Sequence, residues 1–82
     1  MINNTKKIKV RANNMEDLIL MNETMMKHKD LNFDVISGSI NLDGKSLIGL
    51  LGLGVRSFYI RISGNNHDEI KVFVAEMNGY IV

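Results

Sequence analysis

The chain contains no cysteine, and this absence removes several kinds of chemistry at once. Without thiols there are no disulfides, no thiolate metal ligands and no cysteine nucleophile. A membrane span is also missing, because the longest apolar run, residues 47–55, is about ten residues too short. The first ten residues lack the apolar region and the cleavage site of a secretory signal. We therefore expect a cytoplasmic protein without a membrane segment.

A large charge of one sign is absent as well. Ten lysines and arginines against nine aspartates and glutamates give a net charge of +1 over 82 residues. Dedicated nucleic-acid binders concentrate far more positive charge, so composition gives weak support for such a partner. The 45% of hydrophobic residues is typical of a globular protein. With no repeat or linker, the length predicts a single domain over residues 1–82.

Four segments alternate apolar and polar residues, which is the period-two pattern of a strand buried on one face. Because parallel sheets are covered on both faces, one solvated face predicts a largely antiparallel sheet. Gly38 supplies the positive φ of a tight turn between the second and third strands. The residues expected to point inward are Ile8, Val10, Ala12, Phe33, Val35, Ile40, Leu42, Phe58, Ile60 and Ile62.

Three helical segments are expected to cover the other face of the sheet. The first occupies residues 15–29 after the capping pair Asn13 and Asn14, and the second is short and follows Ser46. The third begins near Asn65 or Asn66 and carries an apolar stripe at i, i+3, i+4 and i+7. The element order is βαββαβα, and the predicted fold is a two-layer α+β domain with a four-stranded sheet and three helices on one face.

Residues 43–55, DGKSLIGLLGLGV, contain Gly-Lys-Ser and further glycines, and so raise the question of a nucleotide site. A phosphate-binding loop needs a glycine with four residues between it and the Gly-Lys pair, but position 39 is serine. The later glycines have the order GxxGxG, which is the reverse of the dinucleotide fingerprint. Spacing excludes both motifs, and Ser46 is best interpreted as the N-cap of a short helix.

The short helix has more apolar residues than one of its faces can bury. Some of them must be exposed, and an exposed apolar patch usually marks a docking surface. A phosphoryl group on Ser46 would meet the free N–H groups of the first helical turn and place about two negative charges beside that patch. The apolar residues concerned are Leu47, Ile48, Leu50, Leu51 and Leu53.

Three features of the chain resemble the HPr family, the small phosphocarriers of the bacterial sugar phosphotransferase system. They are the element order, the sequence INLDGKSLIGLLGLGV over residues 40–55 and the YIRISG strand that follows it. The resemblance covers nearly the whole chain and implies an HPr-like open-faced sandwich. In that family the serine matching Ser46 caps the short helix and is, in many members, the target of a regulatory kinase. The resemblance also implies that Leu47, Ile48 and Leu51 belong to a docking surface.

The second site of the family is not matched. HPr carries its transferable phosphoryl group on a histidine that caps the first helix, with an arginine two residues later. The matching positions here are Met15 and Asp17. A thioether cannot be phosphorylated by this chemistry, and an aspartate would repel the incoming group. The chain is thus similar to the HPr homologue that lacks the histidine and acts in catabolite repression.

The two histidines and the methionines predict no further site. His28 and His67 are expected to be solvated, and Met21, Met25 and Met26 to fill the core. No His-x-x-x-His pair or carboxylate cluster is present, so we expect no metal, no cofactor and no enzymatic activity.

The leading hypothesis is a regulatory or adaptor protein that docks other proteins, such as an HPr-type serine kinase or regulator, through the Ser46 helix. The alternative class is a nucleic-acid-binding module that uses the solvated sheet face, although the small net charge and the single outward aromatic residue disfavour it. A third possibility is a degenerate homologue with another partner. The residues of the alternative class are Lys7, Lys9, Arg11, Tyr59 and Arg61.

Overall fold

The alternating segments form the four strands of one antiparallel sheet in a computed structural model, which describes residues 4–82. Strand β1 spans Asn4–Arg11, β2 Asn32–Ser37, β3 Ile40–Asp43 and β4 Ser57–Gly64. Their order across the sheet is β1-β4-β2-β3, and each neighbouring pair is antiparallel. Residues 1–3 lie outside the described residues. They belong to the predicted domain and to the N-terminal segment that is predicted not to be a secretory signal.

The helices begin where the capping residues place them. Helix α1 spans Met15–Lys27, α2 Leu47–Leu53 and α3 His67–Glu76, and a 3-10 turn follows at Asn78–Tyr80. Their N-caps are Asn14, Ser46 and Asn66, and each cap side chain accepts the N–H group three residues later. An accepted bond of this kind satisfies one of the donors that a helix leaves unpaired at its start. The predicted α+β fold, with four antiparallel strands and three helices, is confirmed.

The core lies between the inner face of the sheet and the three helices. Each large apolar side chain in it contributes about 1.5–3 kcal/mol relative to an exposed position. The sheet supplies Ile8, Val10, Phe33, Val35, Phe58, Ile60 and Ile62, and the helices supply Leu18, Met21, Met25, Leu50, Leu53, Ile70 and Phe73. The glycine turn is also as predicted, with Gly38 at a φ of 59° between β2 and β3.

Two apolar side chains are more exposed than their sequence pattern predicts. Ile40, expected to point inward, is 45% exposed at the start of the edge strand β3. Met26, expected to fill the core, is 52% exposed. Because successive helical residues are turned by 100°, Met26 leaves the core side that its neighbour Met25 occupies. Both expectations are therefore wrong.

The prediction that His28 is solvated is also wrong. Its side chain is buried at the end of α1, with Nδ1 3.0 Å from a carboxylate oxygen of Glu69 and Nε2 2.6 Å from one of Glu76. The ring also meets Phe73 edge-on, with 5.6 Å between the ring centroids. His28 is buried because α3 packs against this end of α1. His67, at the start of α3, is exposed as predicted.

Candidate functional site

Ser46 stands at the surface, where the loop after β3 enters α2. Its Oγ accepts the N–H group of Gly49 at 3.2 Å, so the serine is the structural cap that the sequence predicts. The residue as a whole is exposed. The hydroxyl of Ser46 therefore combines a capping role with access from solvent.

The helix after Ser46 divides its apolar residues between the core and the solvent. Leu50 and Leu53 are buried, whereas Ile48 is 85% exposed and Leu47 38% exposed. Leu51 is half-buried against the edge of the core. We call Leu47, Ile48 and Leu51 the α2 apolar surface. Its exposure agrees with the count of apolar residues made from the sequence, and its role in docking stays a prediction.

Helix α1 adds exposed apolar side chains that the sequence interpretation did not assign to a surface. Met15, Ile19 and Met26 are 44%, 37% and 52% exposed. At 100° per residue they lie on the same side of α1 as Asn22, whose Nδ2 donates to the carbonyl of Gly44 at 3.1 Å in the loop before α2. This side of α1 faces α2, against which α1 packs. The spacing of residues 15, 19, 22 and 26 was the available signal.

At the N-terminus of α1, the side chains of Asn14 and Asp17 accept backbone N–H groups; we call this the closed start of α1. The N–H group of Asp17 donates to Oδ1 of Asn14, and the carboxylate of Asp17 accepts the N–H group of Asn13, both at 2.8 Å. One N–H group of the first helical turn, and one just before the cap, are therefore already occupied. Burial raises the pKa of Tyr80, and the nearby carboxylates of Asp17 and Glu16 raise it further. Two carboxylates therefore act on Tyr80 at this end of α1.

The structure places Met15 as the first residue of α1 and Asn14 at the cap. Neither side chain has a ring nitrogen that could carry a transferable phosphoryl group. The carboxylate at residue 17 would repel such a group instead of neutralising it. The loss of phosphocarrier function inferred from Met15 and Asp17 stays a prediction.

Lys45 precedes the cap but is engaged elsewhere. Its ammonium group lies 3.4 Å from the carbonyl oxygen of Lys29 and 5.8 Å from the centroid of the Phe33 ring. Its backbone N–H group donates to Asp43 Oδ1 at 2.9 Å. These contacts fix the loop that leads into α2.

Among residues 4–82, the unpaired basic side chains of the solvated sheet face lie on the β1 side. Lys7 and Lys9 lie over the ring of Tyr59, with Nζ 4.7 Å and 5.8 Å from its centroid. Arg61 on β4 is paired with the carboxylate of Asp34 on β2, with 2.8 Å between Nη2 and Oδ2. The positive charge available to a ligand on this face is therefore concentrated along β1.

No metal centre or membrane helix is found among residues 4–82. In that part of the chain, no group of three or more histidine and carboxylate side chains is arranged to hold a metal ion. None of the described helices has both the length and the apolar character needed to cross a membrane.

Comparison with known proteins identifies the fold but no sequence family. No protein-family model matches the chain, and no curated protein matches it. Among solved structures, the chain is similar to the crystal structure of HPr-C-His from Thermoanaerobacter tengcongensis, with a TM-score of 0.59. The two are 23% identical, and the match covers 95% of this chain and 92% of the other. The chain therefore has an HPr-like fold.

Proposed function

We propose that this protein is a regulatory or adaptor protein with an HPr-like fold, which docks partner proteins through the α2 apolar surface and does not carry phosphoryl groups. The proposal rests first on Ile48, which is 85% exposed in a helix where Leu50 and Leu53 are buried. The hydration of such a large apolar side chain is unfavourable, and its exposure does not stabilise the domain.

The regulatory half of the proposal concerns Ser46. A phosphoryl group there would stay close to the N–H group of Gly49, which the hydroxyl now caps, so the fold would tolerate it. It would also bring about two negative charges next to Leu47 and Ile48. A partner that covers these side chains with an apolar surface would have to desolvate those charges, and its binding would weaken.

The expected partners are proteins of the type that act on the HPr family, namely a serine kinase or a regulator. The start of α1 supports the absence of phosphocarrier activity, because the carboxylate of Asp17 accepts the N–H group of Asn13 there and would repel an incoming phosphoryl group. The protein itself is proposed to have no enzymatic activity and no cofactor, with a cytoplasmic location.

The test has two arms, both read by intact mass. In one, the purified protein is incubated with ATP and a serine kinase of the HPr type, and we expect a single phosphoryl group that disappears in Ser46→Ala. In the other, it is incubated with phosphoenolpyruvate and enzyme I, and we expect no change of mass. A phosphoryl group on His28 or His67 from enzyme I would refute the loss of phosphocarrier function.

Docking is tested with a matched pair of variants. Ile48→Asp changes the α2 apolar surface, and Ile40→Asp makes the same change at an exposed position on β3. We expect Ile48→Asp to weaken binding of the kinase at least tenfold and Ile40→Asp to leave it within about twofold, given the weight of buried apolar anchors in interfaces. Equal binding by the two variants would remove α2 from the interface.

A further inference from the structure

The outer edge of β1 is only partly paired. The N–H group of Val82 donates to the carbonyl of Lys9 at 3.1 Å, and Ile81 forms a bridge with Val10. Because backbone groups alternate between the two edges of a strand, the N–H and C=O groups of Thr5 and Lys7 face the same side as those of Lys9. Within residues 4–82 neither of them has a backbone partner there.

A groove runs beside this open edge, between β1 and α3. Its volume is about 410 Å³, and it extends from Asn4 on β1 to Asn78 after α3. Ile70, Val74 and Ala75 give it an apolar wall. A strand added to β1 would lie along this groove and direct every second side chain into it.

The charges around the edge are of one sign. Lys6 and Lys71 line the groove together with His67, and no carboxylate of residues 4–82 does so. On the opposite face of the sheet, Lys7 and Lys9 belong to the same strand, with their ammonium groups over the ring of Tyr59 on β4. A strand added here would therefore meet lysines on both of its faces, and an apolar wall on one of them.

We propose that the outer edge of β1, from Asn4 to Ile8, binds an extended acidic segment of a partner protein by strand addition. The segment would alternate carboxylate side chains, facing Lys7 and Lys9, with apolar side chains in the groove. Main-chain hydrogen bonds supply affinity in this mode, and the side-chain pattern supplies specificity. The open edge is about 17 Å long, enough for five residues of the partner.

A second copy of this chain does not suit the site. Pairing two β1 edges would place the lysines of one strand opposite those of the other, and like charges directly opposite destabilise a sheet. Lysines on an edge strand are a known defence against such pairing. The same lysines attract a strand of opposite charge, so the edge discriminates by charge. This inference is independent of the function proposed for α2.

The experiment uses an end-blocked hexapeptide of alternating glutamate and valine as the probe. Titration into the full chain should give saturable amide chemical-shift changes along β1 and in α3. At saturation, hydrogen exchange should slow at the N–H groups of Thr5 and Lys7 and stay unchanged at those of Lys6 and Ile8, which already face β4. Unaltered exchange at Thr5 and Lys7 would overturn strand addition.

Two variants with the same change of charge locate the site. Lys7→Glu reverses a charge that the carboxylates of the segment would face, and Lys29→Glu is exposed away from this edge. We expect Lys7→Glu to weaken peptide binding about fivefold or more, and Lys29→Glu to alter it less than twofold, in line with the small energies of exposed charge pairs.

Three further outcomes would overturn the proposal. One is equal binding of a lysine and valine peptide, and another is mapping of the acidic peptide to α2. The third is displacement of the peptide by single-stranded RNA at equal charge concentration, which would identify the basic edge as a polyanion site.

Discussion

Replacing His28 with alanine should lower the free energy of unfolding by about 2–3 kcal/mol at about pH 5.5. An ionised carboxylate only accepts hydrogen bonds, so both ring nitrogens of His28 act as donors, Nδ1 to Glu69 and Nε2 to Glu76.

The magnitude follows from the geometry around the ring. A hydrogen bond to a charged group is worth about 1.5–3 kcal/mol when buried. Here the carboxylate side chains are 25% and 31% exposed and would regain water, so about 1 kcal/mol for each bond is reasonable. The edge-on contact with Phe73 adds about 0.5–1 kcal/mol.

The pH dependence gives an independent check. The hydrogen bond from His28 lowers the pKa of Glu76 below its usual 4.5, and Lys27 acts in the same direction. A carboxyl group with a lowered pKa stabilises the fold fully above its unfolded pKa, and this contribution is lost as the pH falls through the folded pKa. The stability difference between the wild type and His28→Ala should therefore narrow below pH 4.5.

Urea unfolding followed by circular dichroism measures both effects. His67→Ala is the matched control, because His67 is exposed, and it should stay within about 0.5 kcal/mol of the wild type. Lys27→Ala removes only an exposed ion pair with Glu76 and should cost less than about 1 kcal/mol. The reasoning fails if His28→Ala costs no more than His67→Ala, or if its cost is the same on both sides of pH 4.5.

Three further changes have distinct expected outcomes. Ser46→Ala should cost about 1 kcal/mol in urea unfolding, because the cap on Gly49 is lost, and Ser46→Asp should restore most of it; equal stability of the two variants would contradict the capping role. Asp17→Ala should lower stability by about 0.5–1 kcal/mol through loss of the bond from Asn13, and the NMR titration of Tyr80 should move to lower pH, a shift that must be absent if the carboxylate is remote. Ile48→Asp should leave thermal stability nearly unchanged, within about 0.5 kcal/mol, and a large loss would mean that Ile48 packs within the domain.

The features that were predicted from the sequence are those set by local chemistry. Asn14, Ser46 and Asn66 cap their helices because a short polar side chain can reach a nearby N–H group in any context. Period-two alternation likewise locates the strands, because it depends only on which face of the sheet is covered. Counting apolar residues in the short helix predicts that some of them are exposed, and Ile48 is the most exposed of these.

The features that were missed depend on how the elements pack together. In the sequence, His28 resembles a solvated basic residue at a helix end. Only the packing of α3 against α1 brings up the two carboxylates that contact it. Ile40 is apolar, but its exposure depends on where the covering layer stops. Met26 is an exception, because its helical phase already turns it away from the core side. The contribution of Met15 to the surface between α1 and α2 also requires the relative position of the two helices.

The two proposed binding surfaces lie toward opposite edges of the sheet. Helix α3 packs on β1 and β4, whereas α2 packs on α1 and β3. Since β1 and β3 are the outer strands, their axes are about 14 Å apart at a spacing of about 4.8 Å per strand. A partner strand along β1 therefore leaves the α2 apolar surface uncovered. A charge on Ser46 would lie beside the α2 apolar surface and outside the edge of β1. An adaptor needs this arrangement, because it has to hold one protein while another is bound or released.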